Sequence, residues 1–231
     1  MKASAILLFV SMTICFLSCK DEEAVLLTPD DYNYFPVEYG SWIVYDVDSI
    51  VHLDIDDQTN QPDTSVASYH YQVKETIDSS FLDGEGETAF RIIRETRMSD
   101  TLPWDFQSVW TCKRNANSAQ KVEDNVRFVK LSFPVNTHST WNGNAFNNLP
   151  GEEYSFEQVH QPLAVGPYFF DSTLTVNQLE FISLINRIIR KETYARKVGM
   201  VSKQRDSLNI NGLGEVINGI EYTQTINNYG R

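Results

Sequence analysis

The chain has 231 residues, of which 42% are hydrophobic and 12% aromatic, as is typical of a folded protein. Its 31 acidic residues outnumber its 19 basic ones, so the formal net charge is −12 at pH 7. Because a nucleic acid repels a surface of this sign, the balance excludes nucleic acid as a partner.

A charge-free apolar segment opens the chain. Lys2 is followed by residues 3–17, none of which is charged. The run is long enough for the core of a secretory signal and shorter than the roughly 20 apolar residues that cross a bilayer as a helix. It leads into FLSC at residues 16–19, which resembles the lipobox of bacterial lipoproteins, although phenylalanine stands where leucine is usual. The resemblance implies that residues 1–18 are a signal peptide and that Cys19 is lipidated.

A short charged segment follows the cysteine. Lys20, Asp21 and Glu22 resemble the Lys-acidic export tag of surface lipoproteins of Bacteroidota. The resemblance implies a protein that is anchored to the outer membrane by its acyl chains and faces the cell exterior. Each buried methylene contributes about 0.8 kcal/mol, so an anchor with several chains holds firmly. We interpret residues 19–31 as a lipidated tether and residues 32–231 as a single β-rich domain.

A second resemblance covers the start of this domain. Residues 34–45 contain YFPV followed by GSWIVY, similar to the YFPxxxGxWxxY opening of Bacteroidota lipoproteins whose activity is unknown. WNGN at 141–144 and the segments 194–201 and 222–230 also resemble that group. The resemblance implies a β-rich extracytoplasmic domain and transfers no site residue.

Apolar and polar residues alternate with a period of two along most of the chain, which predicts strands. DGEGE at 83–87 predicts a hairpin turn between two of them. The β-branched and aromatic content favours a mainly β fold, an antiparallel sheet that protects its edges by curling into a partial barrel or folding into a sandwich. We expect strands at 42–47, 69–77, 90–94, 104–113, 126–133, 153–159, 170–176 and 220–226.

Residues 179–201 fit two patterns. Leu179, Ile182 and Ile185 have helical spacing, which predicts one short helix near 179–185. Residues 190–201 indicate two strands that meet near residues 196–197.

The cysteines leave no pair for a disulfide in the mature chain. Cys15 would be removed with the signal and Cys19 acylated, so Cys112 has no partner. Because Cys112 is in register with Phe106 and Trp110, we expect it to be a small buried hydrophobe on the inner face of a strand.

We find no catalytic motif in the sequence. The four histidines, His52, His70, His138 and His160, stand isolated, and neither a Gly-x-Ser-x-Gly elbow nor a His-Glu-x-x-His helix occurs. We therefore expect a non-catalytic protein without a cofactor. A set of catalytic residues that only the fold brings together remains an alternative.

The sequence offers two candidate ligand sites. Asp54, Asp56 and Asp57 form the densest group of oxygen donors, which suits calcium, although Thr59 stands where an EF-hand needs glycine. A solvated acidic loop is the alternative. Trp141, in a loop-like segment, is the best candidate for an exposed aromatic that stacks on a sugar; the alternative is a plug on the open end of the core.

Four Asp-Ser or Asp-Thr triplets resemble the acceptor pattern for O-glycosylation of exported Bacteroidota proteins. A transferase needs an accessible hydroxyl, so loop sites should be modified first. Thr101, beside Pro103, is the most loop-like and our first choice, Ser207 is the second, and Ser172, inside a predicted strand, is the last.

Three functions from different classes follow. The leading hypothesis is a lipid-anchored, non-catalytic binding or accessory module at the cell surface, whose partner is a protein, a glycan or an apolar small molecule. The second is a carrier of an apolar ligand inside a curved β-sheet. The third is a hydrolase with dispersed catalytic residues. A large apolar cavity would favour the second, and a cleft where acids and histidines converge would favour the third.

Overall fold

Twelve antiparallel strands and one short 3₁₀ turn make up the described part of the chain, residues 30–53 and 66–231 of a computed structural model. The 3₁₀ turn is Asp31–Tyr34. The strands are β1 (Trp42–His52), β2 (Val66–Leu82), β3 (Thr88–Arg97), β4 (Asp105–Arg114), β5 (Ser118–Glu123), β6 (Val126–Ser132), β7 (Thr140–Asn142), β8 (Glu153–Val165), β9 (Tyr168–Ile182), β10 (Asn186–Ala195), β11 (Gly199–Ile210) and β12 (Val216–Gly230). The predicted mainly β fold is confirmed.

All strands belong to one sheet, in the order β6-β5-β4-β3-β2-β1-β12-β11-β10-β9-β8-β7. Strands that are neighbours in sequence are neighbours in the sheet, except for β6 and β7, which are its two edges, and β1 also pairs with β12. These edges meet: Val129 N donates to Gly143 O at 2.9 Å, and Trp141 Nε1 donates to Val129 O at 2.9 Å. The curled sheet therefore nearly closes into a barrel with one seam, which protects both edges.

The core lies inside the curled sheet. Along β9, Leu174 and Val176 are fully buried while Thr175 between them is only partly buried, the alternation that the sequence predicted for a half-buried strand. The main cluster of buried side chains draws on the 3₁₀ turn and strands on both sides of the seam, among them Tyr34, Ile92, Trp110, Leu131, Phe156, Leu174 and Tyr194.

The short helix predicted near 179–185 is wrong. β9 extends to Ile182, and a tight turn closed by Ser183 N donating to Asn186 O at 2.8 Å leads into β10. Ile182 and Ile185 are exposed, 59% and 65%, so the apolar residues at helical spacing have no core to face. Backbone pairing with β10 decides the structure instead. In the residues described, no helix is long and apolar enough to cross a membrane.

Two strands and one bulge lie outside the predicted pattern. β5 (SAQKVE) turns Lys121 and Glu123 inward, so it has no run of apolar residues to reveal it, and β7 has only three residues. In β4, Ser108 pairs with Arg94 and Phe106 with Glu95, which leaves Gln107 as a bulge. The bulge turns Phe106 outward to 66% exposure, although it was expected to face inward with Cys112.

Segment 31–41 covers one end of the barrel. Tyr32 OH donates to Ala116 O in the β4–β5 turn at 3.2 Å, and Lys197 N in the β10–β11 turn donates to Asn33 O at 2.7 Å. The turn predicted at residues 196–197 is confirmed. Asp30, the first described residue, lies beside the 3₁₀ turn at the same end of the barrel, which we call the covered end.

Candidate functional site

A cavity of about 330 Å³ opens at the covered end of the barrel. Its size lies at the lower limit of small-molecule sites, which span roughly 300–1,000 Å³. Inward side chains of neighbouring strands form its wall, and many of them are apolar, among them Ile43 from β1, Ile77 from β2, Ile92 from β3, Cys112 from β4 and Met200 from β11. The alternation of the strands thus produces a lining suited to an apolar molecule.

Cys112 belongs to this wall and has no chemical role in it. It is 3% exposed, and burial raises the pKa of its thiol to about 12. The thiol therefore stays protonated at neutral pH and is unreactive. The prediction of a small buried hydrophobe on the inner face is confirmed.

The mouth of the cavity is built by the segment before β1, the β10–β11 turn and the end of β12. Phe35 contributes an aromatic ring and Val198 an apolar side chain. Glu38 and Arg231 form an ion pair at 2.8 Å on the rim, where both are largely exposed. Gly230 is required here, because a Cβ on it would lie 2.7 Å from the Trp42 ring, which also lines the cavity.

The inner end of the cavity is ionic. Glu75 Oε1 accepts from Arg94 Nε at 3.1 Å, and its other oxygen accepts from Lys121 Nζ at 2.7 Å. All three side chains are about nine-tenths buried. Arg94 and Lys121 also lie over the ring of Trp110, at 3.7 and 4.8 Å from its centroid. The indole NH of Trp110 donates to Asp124 at 3.1 Å, which fixes the ring under both cations.

A second ionic group adjoins the first. Lys130 Nζ lies 2.9 Å from carboxylate oxygens of both Glu123 and Glu192, and Lys203 Nζ lies 3.5 and 3.4 Å from the same two groups. Tyr194 OH donates to the other oxygen of Glu192 at 2.6 Å. Glu192 and Lys130 are almost fully buried, so this network lies in the barrel interior and not on its surface.

The pairing keeps these groups charged in spite of their burial. Burial alone would raise the pKa of Glu123, but Lys130 and Lys203 outweigh it and hold that pKa well below its usual value. Burial likewise opposes the charged form of Lys130, and Glu123 and Glu192 raise its pKa above the usual value. The interior therefore presents fixed charges beside an apolar wall, an arrangement suited to an amphipathic molecule.

A separate cluster ties the 3₁₀ turn to the β8–β9 hairpin. Tyr34 OH lies 2.7 Å from His160 Nδ1 and 2.6 Å from Ser172 Oγ, and His160 Nε2 lies 4.0 Å from Asp31. His160 adopts a left-handed backbone, φ 57°, at a bulge of β8. In the part of the chain that the structure covers, no serine hydroxyl contacts a histidine, the contact that activates a serine nucleophile.

Three acids of the β2–β3 turn converge on one point. Asp83 and Glu87 each lie 2.8 Å from Lys113 Nζ, and Glu85 contacts the same ammonium. These carboxylates are close enough together to hold a metal ion, but the ammonium of Lys113 already occupies the space between them. The turn predicted at 83–87 is confirmed, and its charges serve to join it to β4.

Several predicted site residues lie outside the described residues. These are the lipidation site Cys19, the export tag (Lys20, Asp21 and Glu22) and the candidate calcium ligands (Asp54, Asp56 and Asp57). Their roles stay predictions.

Trp141 lies in β7 and is half-buried, where a loop and an exposed ring were expected. Its ring packs against Phe156 at 4.7 Å between centroids and against Tyr154 at 6.0 Å, and its NH donates across the seam to Val129 O. The side chain thus joins the two edges of the sheet. A role for it in ligand binding stays a prediction.

The candidate glycosylation sites differ in their surroundings. Thr101 is exposed in the β3–β4 turn, where Ser99 Oγ and Thr101 Oγ1 are 3.0 Å apart. Ser207 is exposed on β11, and Ser172 lies in β9 with its hydroxyl bonded to Tyr34. An accessible hydroxyl at Thr101 agrees with its rank as first choice, and modification stays a prediction.

Sequence reasoning missed the buried charges. The signal was present in β2, where Tyr71, Val73, Glu75 and Ile77 occupy successive positions of one face, so that Glu75 stands in an otherwise apolar register. Lys121 gave no such signal, because β5 has no regular apolar alternation that a charged residue could interrupt.

Comparison with protein-family models and with curated proteins finds no match. Among solved structures, the chain is similar to a crystal structure of a Bacteroides fragilis protein that is described as a candidate exported protein with a YmcC-like fold. The two share 9% sequence identity, the match covers 85% of this chain and 98% of that chain, and the TM-score is 0.45. A likeness this distant carries no argument about fold or function, so both rest on the contacts described above.

Proposed function

We propose that this protein is a non-catalytic binding module whose ligand is a small apolar or amphipathic molecule held inside the barrel. The observation that carries the proposal is the 330 Å³ cavity at the covered end, with apolar walls and an ionic inner end. This combines the leading hypothesis from the sequence with the second one, because the binding surface is the interior of the curved sheet.

The cavity favours ligand binding on energetic grounds. An apolar group that leaves water gains about 25 cal/mol for each Å² that it buries, or about 0.8 kcal/mol per methylene. A cavity that is already formed lowers the cost of reorganisation on binding, so a larger share of this gain is retained as affinity. One acyl chain or a molecule of similar width fits such a lining.

The position of the mouth suits a protein anchored to the outer membrane and facing the cell exterior. The chain enters the fold at the covered end, and Cys19 precedes Asp30 by 11 positions, a span of at most about 40 Å when extended. A lipid on Cys19 would therefore keep the mouth close to the membrane surface, where apolar ligands are found.

The hydrolase hypothesis has less support. Tyr34, His160 and Ser172 do converge, but Tyr34 is fully buried and its hydroxyl stands between the other two side chains. The cluster fixes the 3₁₀ turn that covers the barrel, and it does not line the cavity.

Binding can be tested with the mature chain carrying Cys19→Ser, which stays soluble because it lacks the acylated thiol. We expect it to bind the fluorescent fatty acid parinaric acid at one site per chain, with a plateau in the titration at a 1:1 ratio. Failure of the wild-type barrel to bind this probe or any co-purified lipid, judged by native mass spectrometry, would contradict the proposal.

A matched pair of variants locates the site. Val198 lines the mouth of the cavity, whereas Val109 is 48% exposed on the outer face of β4. Val198→Trp should reduce parinaric acid affinity at least about tenfold, since the indole fills space that the ligand needs. Val109→Trp should leave the affinity unchanged. Equal affinities for the two variants would show that the probe binds elsewhere.

A further inference from the structure

We infer that the ligand is an amphipath with an anionic head, a carboxylate in the simplest case, which is received by Lys121 and Lys130 at the inner end of the cavity. This inference rests on the proposed function and specifies the chemistry of the molecule that binds.

The charges of the inner end do not balance. The network contains four cations and three carboxylates, which leaves one positive charge in excess: Arg94, Lys121, Lys130 and Lys203 against Glu75, Glu123 and Glu192. The sign is opposite to that of the whole chain, whose net charge is −12. An excess charge in a buried setting is unfavourable unless a group of opposite sign joins it.

The carboxylates of the network are already occupied, whereas the ammonium groups have donors to spare. Glu75 is held by Arg94 and Lys121, and Glu123 by Lys130 and Lys203. An ammonium carries three N–H donors. Lys121 has one carboxylate partner and Lys130 has two, so each retains donor capacity.

Both of these lysines line the cavity, whereas Arg94 and Lys203 lie behind its wall. A carboxylate at this position would accept hydrogen bonds from two buried ammonium groups and bring the network to neutrality. A cationic head would instead raise the excess to two positive charges, and a neutral head would leave it at one. The geometry therefore selects for an anion.

The test compares three ligands of equal chain length, decanoate, decanol and decylamine, on the mature chain with Cys19→Ser. We expect decanoate to bind at least about tenfold more tightly than decanol, because charge-assisted hydrogen bonds contribute more than neutral ones, and decylamine to bind most weakly. Calorimetric or displacement titrations measure the three affinities. Equal affinities for decanoate and decanol would overturn the anionic head and leave the proposed function standing. Absence of binding by all three would overturn the proposed function itself.

Two variants test whether the ionic network causes the preference for decanoate over decanol. Lys121→Met removes the excess charge while Glu75 keeps Arg94, so the ratio of decanoate to decanol affinity should fall below about threefold with decanol binding unchanged. The matched control is Lys113→Met, which removes an ammonium of similar burial that lies outside the cavity; its ratio should stay at the wild-type value.

Should Lys121→Met fail to fold, Glu75→Gln tests the same point in the opposite direction. It raises the excess charge by one, so it should bind decanoate more tightly than wild type does. A wild-type ratio in Lys121→Met, or weaker decanoate binding by Glu75→Gln, would contradict the assignment.

Discussion

The buried charges at the inner end of the cavity pair across strands. Glu192 on β10 accepts from Lys130 on β6, and Glu75 on β2 from Lys121 on β5. A buried pair adds little stability compared with an apolar core of the same shape, but loss of one partner leaves an uncompensated charge behind. Replacing any one of these residues alone should therefore destabilise the fold. Since the pairs themselves add little stability, we attribute their presence to ligand binding in the cavity that they adjoin.

Lys130→Met should destabilise the protein by about 3–5 kcal/mol, because Glu123 and Glu192 would remain buried with only the more distant Lys203. The free energy of unfolding in urea at neutral pH measures this. Lys74→Met is the control: its pair with Glu95 at 2.8 Å is about one quarter exposed, and its loss should cost less than about 1 kcal/mol. Equal costs for the two variants would show that the interior network does not depend on Lys130.

At the scale of elements, the β2–β3 turn is joined to the adjacent strand β4 by charged side chains and not by apolar packing. Asp83 accepts the backbone N–H groups of Glu85 and Glu87 at 2.9 Å each, and it also accepts from Lys113 on the adjacent β4. The carboxylate thus fixes the turn and joins the hairpin to its neighbour. The hydrogen bond from Lys113 and those from the two backbone groups lower the pKa of Asp83 from 3.8 to about 2.

This shift predicts an acid dependence. Because the pKa of Asp83 is depressed in the folded state, its contribution to stability is complete above the unfolded value of 3.8 and is lost as the pH falls towards about 2. Asp83→Asn should therefore melt below wild type at about pH 5, and the difference in Tm should shrink between about pH 4 and pH 2. Asp105→Asn, which removes a carboxylate at an exposed position of β4 outside this turn, is the control and should leave the Tm at about pH 5 unchanged. A constant difference for Asp83→Asn would contradict the assignment.

At the scale of the molecule, local signals predicted most of the strands, and the need to protect sheet edges predicted a partial barrel or a sandwich without specifying the seam. Eight predicted strands, the turn at 83–87 and the buried Cys112 follow from alternation and turn chemistry, which are local in sequence. The seam depends on Val129 meeting Gly143, and the ionic network depends on Lys130 meeting Glu192, 62 positions away. Period-two patterns specify which face a residue occupies and carry no information on which distant residue it meets. A cavity in a curved sheet could therefore be a hypothesis from the sequence, whereas the residues that line it could not be predicted.

The lipid anchor is the remaining prediction at this scale, and it determines where the cavity opens. We expect the wild-type protein to incorporate labelled palmitate in its native host, because the FLSC segment resembles a lipobox and several acyl chains hold a protein firmly at a membrane. Cys19→Ala should take up no label and should remain unprocessed or be released. Cys15→Ala is the matched control, since Cys15 lies inside the predicted signal peptide and its loss should leave labelling unchanged. Label on Cys19→Ala would show that another residue carries the acyl chains. No label on wild type would remove the anchor, and with it the argument that the mouth of the cavity takes ligands from a lipid surface.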